Sequence, residues 1–173
     1  MDCTVSLEYH CHNVEDRSAM TERSSTDRSA ADLDILLVED NPGDVRLIEE
    51  AFADVPATVS FERVADGKDA MGVLRARRDD ADAVLPDLML LDLNLPRMDG
   101  FGVLDAIRND PELALVPTLI LTSSGASADV VESYERGANA YLTKPADLEE
   151  FTTLGETVER FWAEIAELPP PSV

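Results

Sequence analysis

The chain has 173 residues, 45% of them apolar and 29% charged, so it can bury a real core and is not a disordered tail overall. Acids number 36 against 14 bases, a formal net charge of -22, which argues against nucleic-acid or anionic-membrane binding as the main role. No apolar run approaches the ~20 residues a membrane helix needs, and the start Met1-Asp2-Cys3 lacks a basic region followed by an apolar stretch.

Of the bases, twelve are Arg and only two are Lys, Lys68 and Lys144. A strongly acidic, Lys-poor surface is a halophilic composition, suited to a very salty cytoplasm where salt screens the repulsion between carboxylates. Cys3 and Cys11 form no disulfide framework, which fits a reducing cytoplasm.

Residues 1–32 are rich in Ser, Thr, Asp, Glu and Arg with no sustained apolar period, and read as a disordered N-terminal arm. Met20 offers a second start, so residues 1–19 need not be made in the cell. His10, Cys11 and His12 with Cys3 match no zinc spacing.

From residue 33 a regular alternation begins. Ile35-Leu36-Leu37-Val38 reads as a buried strand ending in Glu39-Asp40. Residues 43–54 place Val45, Leu47, Ile48, Ala51 and Phe52 on one helical face. Thr58 to Val64 alternates as a second strand. Residues 67–78 form a helix with Ala70, Met71, Val73 and Leu74 inward, and a polar loop follows. Leu88 to Leu91 is a third strand ending in Asp92. Gly100 to Asn109 is a helix that Asp110-Pro111 breaks. Pro117 to Thr122 is a fourth strand, 127–137 a helix closed by Gly137, and Ala140 to Thr143 a short fifth strand ending in Lys144-Pro145. Residues 147–166 form a last amphipathic helix with Leu148, Phe151, Leu154, Val158, Phe161, Trp162 and Ile165 inward. A Pro-rich tail, 168–173, ends the chain. The pattern is α/β: five βα units making a parallel sheet with helices on both faces, over 33–167.

In such a sheet the carboxyl ends of the strands converge on one crevice. Glu39, Asp40, Asp92, Thr122 and Lys144 all fall at those ends. Acids at strand ends are common and many serve as helix caps, so no single position is informative. All five together are. Clustered carboxylates need a cation, and an oxygen-rich set suits Mg²⁺. A metal, an ammonium and a hydroxyl could hold three phosphoryl oxygens while one carboxylate attacks, giving an acyl phosphate.

These residues resemble the receiver domain of two-component response regulators. The resemblance is carried by Ile35-Leu36-Leu37-Val38-Glu39-Asp40-Asn41, by Leu90-Leu91-Asp92-Leu93-Asn94-Leu95-Pro96-Arg97-Met98-Asp99-Gly100, by Leu119-Ile120-Leu121-Thr122-Ser123, and by Gly137-Ala138-Asn139-Ala140-Tyr141-Leu142-Thr143-Lys144-Pro145. It implies a flavodoxin-like (βα)5 fold with strand order 2-1-3-4-5. Asp92 matches the phosphoacceptor. Asp40 matches the main acidic ligand of Mg²⁺ (or Mn²⁺), with Glu39 beside it, and Asn94 would give its backbone carbonyl. Thr122 matches the switch hydroxyl, Lys144 the phosphate partner and Tyr141 the switch aromatic. A cis peptide before Pro145 is also implied. Ser123 and Ala146 depart from common family residues without touching the chemistry. Glu39-Asp40-Asn41-Pro42-Gly43-Asp44 and the long loop before Leu88 are similar to the single-domain subfamily that partners phytochrome-type kinases.

The resemblance implies a signalling switch rather than an enzyme: a stand-alone cytoplasmic phosphoprotein of a phosphorelay. It would take its phosphoryl group from a sensor histidine kinase and act on an unknown downstream protein, with no DNA and no membrane partner. Trp162 is expected to pack on the sheet, with a homodimer through that face as the alternative. Two competing readings are a degenerate receiver acting as a constitutive protein-binding module and another phosphate-handling α/β protein. Among the latter, a haloacid-dehalogenase-type phosphatase would need a second Asp where Asn94 stands, and a flavodoxin would need its phosphate loop at a different strand from Ser123-Ser124-Gly125.

Overall fold

The computed structural model describes residues 32–169. The Cys3, His10, Cys11 and His12 group, Met20 and the last prolines lie outside them. Five parallel strands, β1 (Asp32–Val38), β2 (Thr58–Val64), β3 (Leu88–Leu91), β4 (Thr118–Thr122) and β5 (Ala140–Thr143), form one sheet in the order β2-β1-β3-β4-β5. Chain direction across the sheet reverses at β1, so the crevice lies beyond the ends of β1 and β3.

The inner strands β3 and β4 are buried on both faces, which is why Leu88–Leu91 and Leu119–Leu121 read as unbroken apolar runs. Alternate residues feed two separate cores. Leu36, Val38, Met89, Leu91 and Ile120 meet α2 (Gly67–Asp79) and α3 (Gly100–Arg108). Ile35, Leu37, Leu88, Leu90, Leu119 and Leu121 meet α1 (Pro42–Ala51) and α5 (Leu148–Glu159). Truncating one of these leucines to Ala costs about 2–5 kcal/mol.

Four helices start on an Asx cap. Asn41 accepts from Gly43 N, Asp66 from Lys68 N and Asp69 N, Asp99 from Gly102 N, and Asp147 from Glu150 N. The remaining helix, α4 (Ser127–Glu135), starts on Ala126 with no side-chain cap bond. It buries only Ser133 and leaves Val131 and Tyr134 exposed. Gly137, in the left-handed region at φ 90°, closes the turn after it, where a Cβ would collide with the Arg108 guanidinium.

Two expectations need correction. The last helix is regular only to Glu159 and continues as a π-helical stretch from Arg160 to Ile165. Its wider winding breaks the 3.6-residue register, so Phe161 and Ile165 face solvent at 48% and 63% exposure. Leu148, at the first turn, is exposed as well, whereas Phe151 and Val158 are buried and Leu154 and Trp162 pack at the edge of the core. The segment after α3 carries a short 3₁₀ turn, Leu113–Leu115, capped by Asp110, which accepts from Glu112 N and Leu113 N. Finally, no peptide bond among the described residues is cis, so Lys144–Pro145 is trans. The backbone N–H of Lys144 bonds the Thr122 carbonyl at 2.8 Å, and from that anchor the long side chain reaches inward without a cis bond.

Candidate functional site

β1 delivers Glu39 and Asp40 to the crevice, β3 delivers Asp92, β4 delivers Thr122 and β5 delivers Lys144. Backbone bonds carry the sheet pattern one residue beyond the strands: Glu39 N donates to Val64 O and Asp92 N to Val38 O, both at 3.0 Å. This fixes the two acids relative to each other. Carboxylate oxygens of Glu39, Asp40 and Asp92 all lie within 4.8 Å of one another, with Glu39 and Asp92 buried and Asp40 exposed.

Lys144 sits among them. Its Nζ is 2.7 Å from Glu39 Oε2, 2.7 Å from Asp44 Oδ2 and 3.0 Å from Asp92 Oδ2. Burial alone would lower the Lys144 pKa, but hydrogen bonds to Asp44, Glu39 and Asp92 outweigh it, and the net direction is upward. The ammonium is therefore charged at any working pH. Burial pushes the Glu39 carboxyl above its ordinary value, and Lys144 only partly offsets this.

Three carboxylates thus meet one ammonium, and a fourth, that of Asp40, lies within 4.8 Å of two of them. That surplus of negative charge, supplied by oxygen donors beside an exposed Asp40, fits a hard divalent cation such as Mg²⁺ or Mn²⁺. Glu39, Asp40 and Asp92 would hold it.

Thr122 is fully buried. Its hydroxyl receives a long contact, 3.4 Å, from Asn94 Nδ2 and another at 3.4 Å from Ser124 N, both looser than a normal hydrogen bond. Asn94 N donates to Asp92 Oδ1 at 3.3 Å, so the start of the β3–α3 loop folds back on the acid it follows. Tyr141, half-buried on β5, donates its phenol to the Ser124 carbonyl at 2.9 Å. Every expected site residue therefore lies at one end of the sheet.

Two participants were not foreseen. Asp44, in the first turn of α1, looks in the sequence like any acid that favours a helix N-terminus. Arg97, in the left-handed region at φ 61°, pairs with the buried cap Asp66 and with Asp69, and so ties the β3–α3 loop to α2. Its only signal is its place three residues after Asn94.

Residues 35–155 match the response regulator receiver domain family. The chain is 39% identical over 137 residues to response regulator Rcp1 of Synechocystis sp., covering 78% of this chain and 92% of Rcp1. It is 36% identical over 138 residues to the probable methanogenesis regulatory protein FilR2 of Methanothrix harundinacea, covering 80% of this chain and 88% of FilR2. The crystal structure of the phosphorylated cyanobacterial phytochrome response regulator RcpA superposes with a TM-score of 0.74 at 42% identity, over 81% of this chain and 100% of RcpA. The Mn²⁺-bound form of Rcp1 superposes with a TM-score of 0.72 at 38% identity, over 80% of this chain and 99% of that one.

Proposed function

The chain belongs to the response regulator receiver family of two-component signalling, and we propose that Asp92 is its phosphoacceptor, in a stand-alone switch served by a sensor histidine kinase of the phytochrome type. The observation that carries this reading is the convergence of Lys144 on Asp92 at 3.0 Å beside the Glu39 and Asp40 carboxylates. The match over 92% of Rcp1 supports the stand-alone organisation.

An Asp92 carboxylate oxygen attacks phosphorus in line. The new P–O bond forms as the P–N bond to the donor histidine breaks, and the imidazole nitrogen keeps the electron pair and takes a proton. Lys144 stays charged and offers its ammonium to a phosphoryl oxygen, and Thr122 offers its hydroxyl to another. A Mg²⁺ or Mn²⁺ held by Glu39, Asp40 and Asp92 would neutralise those carboxylates and supply positive charge for the phosphoryl oxygens. Water later cleaves the P–O bond and restores the carboxylate.

The added charge draws Thr122 toward the phosphoryl group, and Tyr141 turns into the space it leaves. The β4–α4 loop and the lightly anchored α4 then shift between two states that a downstream protein distinguishes. The activity is self-directed: the chain catalyses only its own phosphorylation and dephosphorylation at Asp92. No helix among the described residues is long and apolar enough to cross a membrane. Contact through the π-helical stretch after α5, where Phe161 and Ile165 are exposed, is the reading for a homodimer.

The test is labelling with acetyl phosphate and Mg²⁺ in molar KCl, read by intact mass. One added phosphate is expected on the wild type and none on Asp92→Asn. No gain on folded wild type would favour a constitutive binding module, and labelling of Asp92→Asn would overturn the assignment.

A further inference from the structure

An ammonium group has three N–H donors. In Lys144 all three are engaged by carboxylates on three different elements: Glu39 after β1, Asp44 on α1 and Asp92 after β3. The three are not equivalent. Glu39 and Asp92 have side chains only 2% and 5% exposed and belong to the cluster that would hold a divalent cation. Asp44 is 25% exposed and is outside that cluster. A cation arriving at Glu39 and Asp92 competes with the ammonium for the same oxygens. Lys144 can yield them only if its charge stays compensated elsewhere, because an unpaired buried ammonium is costly.

We propose that Asp44 is a positioning residue that acts through Lys144: it holds the ammonium at the outer side of the pocket, so that Glu39 and Asp92 are free to take a divalent cation. The proposal rests on the receiver reading of the site. Without the Asp44 charge, Lys144 stays on Glu39 and Asp92 and opposes the cation. With it, the ammonium remains within reach of Asp92 yet off the cation's ligands.

The experiment measures Mn²⁺ affinity by paramagnetic resonance of free Mn²⁺, using the full chain in about 1 M KCl so that bare surface charges are screened. Asp44→Asn is expected to weaken binding roughly three- to tenfold. Asp44→Ser, a smaller polar replacement in the same helical turn, should behave alike. Asp44→Glu should restore binding to within about twofold, because the pairing charge returns. In a Lys144→Met background, Asp44→Asn should change affinity by less than about twofold, because the group it acts through is gone. Equal weakening with and without Lys144 would overturn the proposal, since Asp44 would then act as a bare negative charge. Unchanged binding in Asp44→Asn would overturn it too. A folded wild type that binds no Mn²⁺ would overturn the receiver reading itself, and the proposal with it.

Discussion

The phenol of Tyr141 donates a hydrogen bond to the backbone carbonyl of Ser124 at 2.9 Å, linking β5 to the loop two residues past Thr122. The loop has few other ties: Ser124 Oγ bonds Asp129 at 2.5 Å, and the helix that follows has no side-chain cap bond. Tyr141→Phe removes the bond and keeps the ring. A neutral hydrogen bond contributes about 1 kcal/mol, so amide exchange over residues 123–126 is expected to speed up roughly fivefold. Exchange in β1 and β3 should not change. Unaltered loop exchange would show that other contacts hold the loop closed.

Lys144→Met leaves Glu39 and Asp92 buried with no ammonium between them. Removing one partner from such a buried set costs about 3 kcal/mol. The variant should lose that much in chemical denaturation at pH 7 with a chelator present. Saturating Mg²⁺ should restore much of it, since a ligand bound only to the folded state stabilises by mass action. Equal stability of variant and wild type in chelator would mean that water already compensates the acids.

The sheet was legible because four of its strands are short apolar runs followed by or ending in a polar residue, as Leu88–Leu91 is followed by Asp92, and β2 alternates. The same pattern exposed the site, since Glu39, Asp40, Asp92, Thr122 and Lys144 all sit at strand ends. Asp44 was not legible. Its role depends on the first turn of α1 meeting Lys144 just past β5, a contact spanning 100 residues of sequence. Phe161 and Ile165 were misplaced because helical periodicity assumes constant winding, and the change to a π-helical stretch at Arg160 leaves no mark in apolar spacing. The trans Lys144–Pro145 bond differs from what the family resemblance implied, and composition is silent on it.

Gly100 opens α3 directly beneath the site. A Cβ there would lie 2.5 Å from the Asp92 carbonyl oxygen and 2.8 Å from Leu93 Cα, both backbone atoms that cannot swing aside. Gly100→Ala must therefore move the β3–α3 loop. Overpacking of this kind costs about 1–3 kcal/mol, and the moved loop carries Asp92 and Asn94. Lower stability should come with slower acetyl-phosphate labelling. A variant that loses stability but labels at the wild-type rate would show that the shift is taken up by α3 instead.

Asp110 caps the 3₁₀ turn through Glu112 N and Leu113 N and pairs with Arg78 of α2. Burial would raise its pKa, but the Leu113 N–H, the Arg78 side chain and the Glu112 N–H together hold it below the usual carboxylate range. A carboxyl depressed in this way stabilises the fold above its unfolded value, and the contribution fades as pH falls through the folded value. Asp110→Ala should cost about 1–2 kcal/mol near pH 7. The gap to wild type should narrow below the unfolded carboxylate value, about pH 4, and close in stronger acid. A gap constant with pH would assign the loss to packing rather than charge.

A formal charge of -22 on 173 residues makes the folded state repel itself. Among the described acids, several have bound an arginine: Glu62 and Asp34 with Arg77, Asp105 and Glu132 with Arg136, Asp110 with Arg78. Salt weakens these partly exposed pairs, so two effects oppose each other. The pairs contribute little each, about 0–1 kcal/mol. The repulsion acts among all the unbalanced acids and over a Debye length of roughly 10 Å at 0.1 M salt, which shrinks to roughly 3 Å at 1 M. Relief of repulsion should therefore dominate. Melting temperature is expected to rise by roughly 5 °C or more between 0.1 and 2 M KCl, about 2 kcal/mol for a chain of this size. Sodium sulfate would strengthen apolar burial as well, so KCl is the salt that isolates screening. A melting temperature indifferent to KCl would mean that the acidic surface is not an adaptation to a salty cytoplasm.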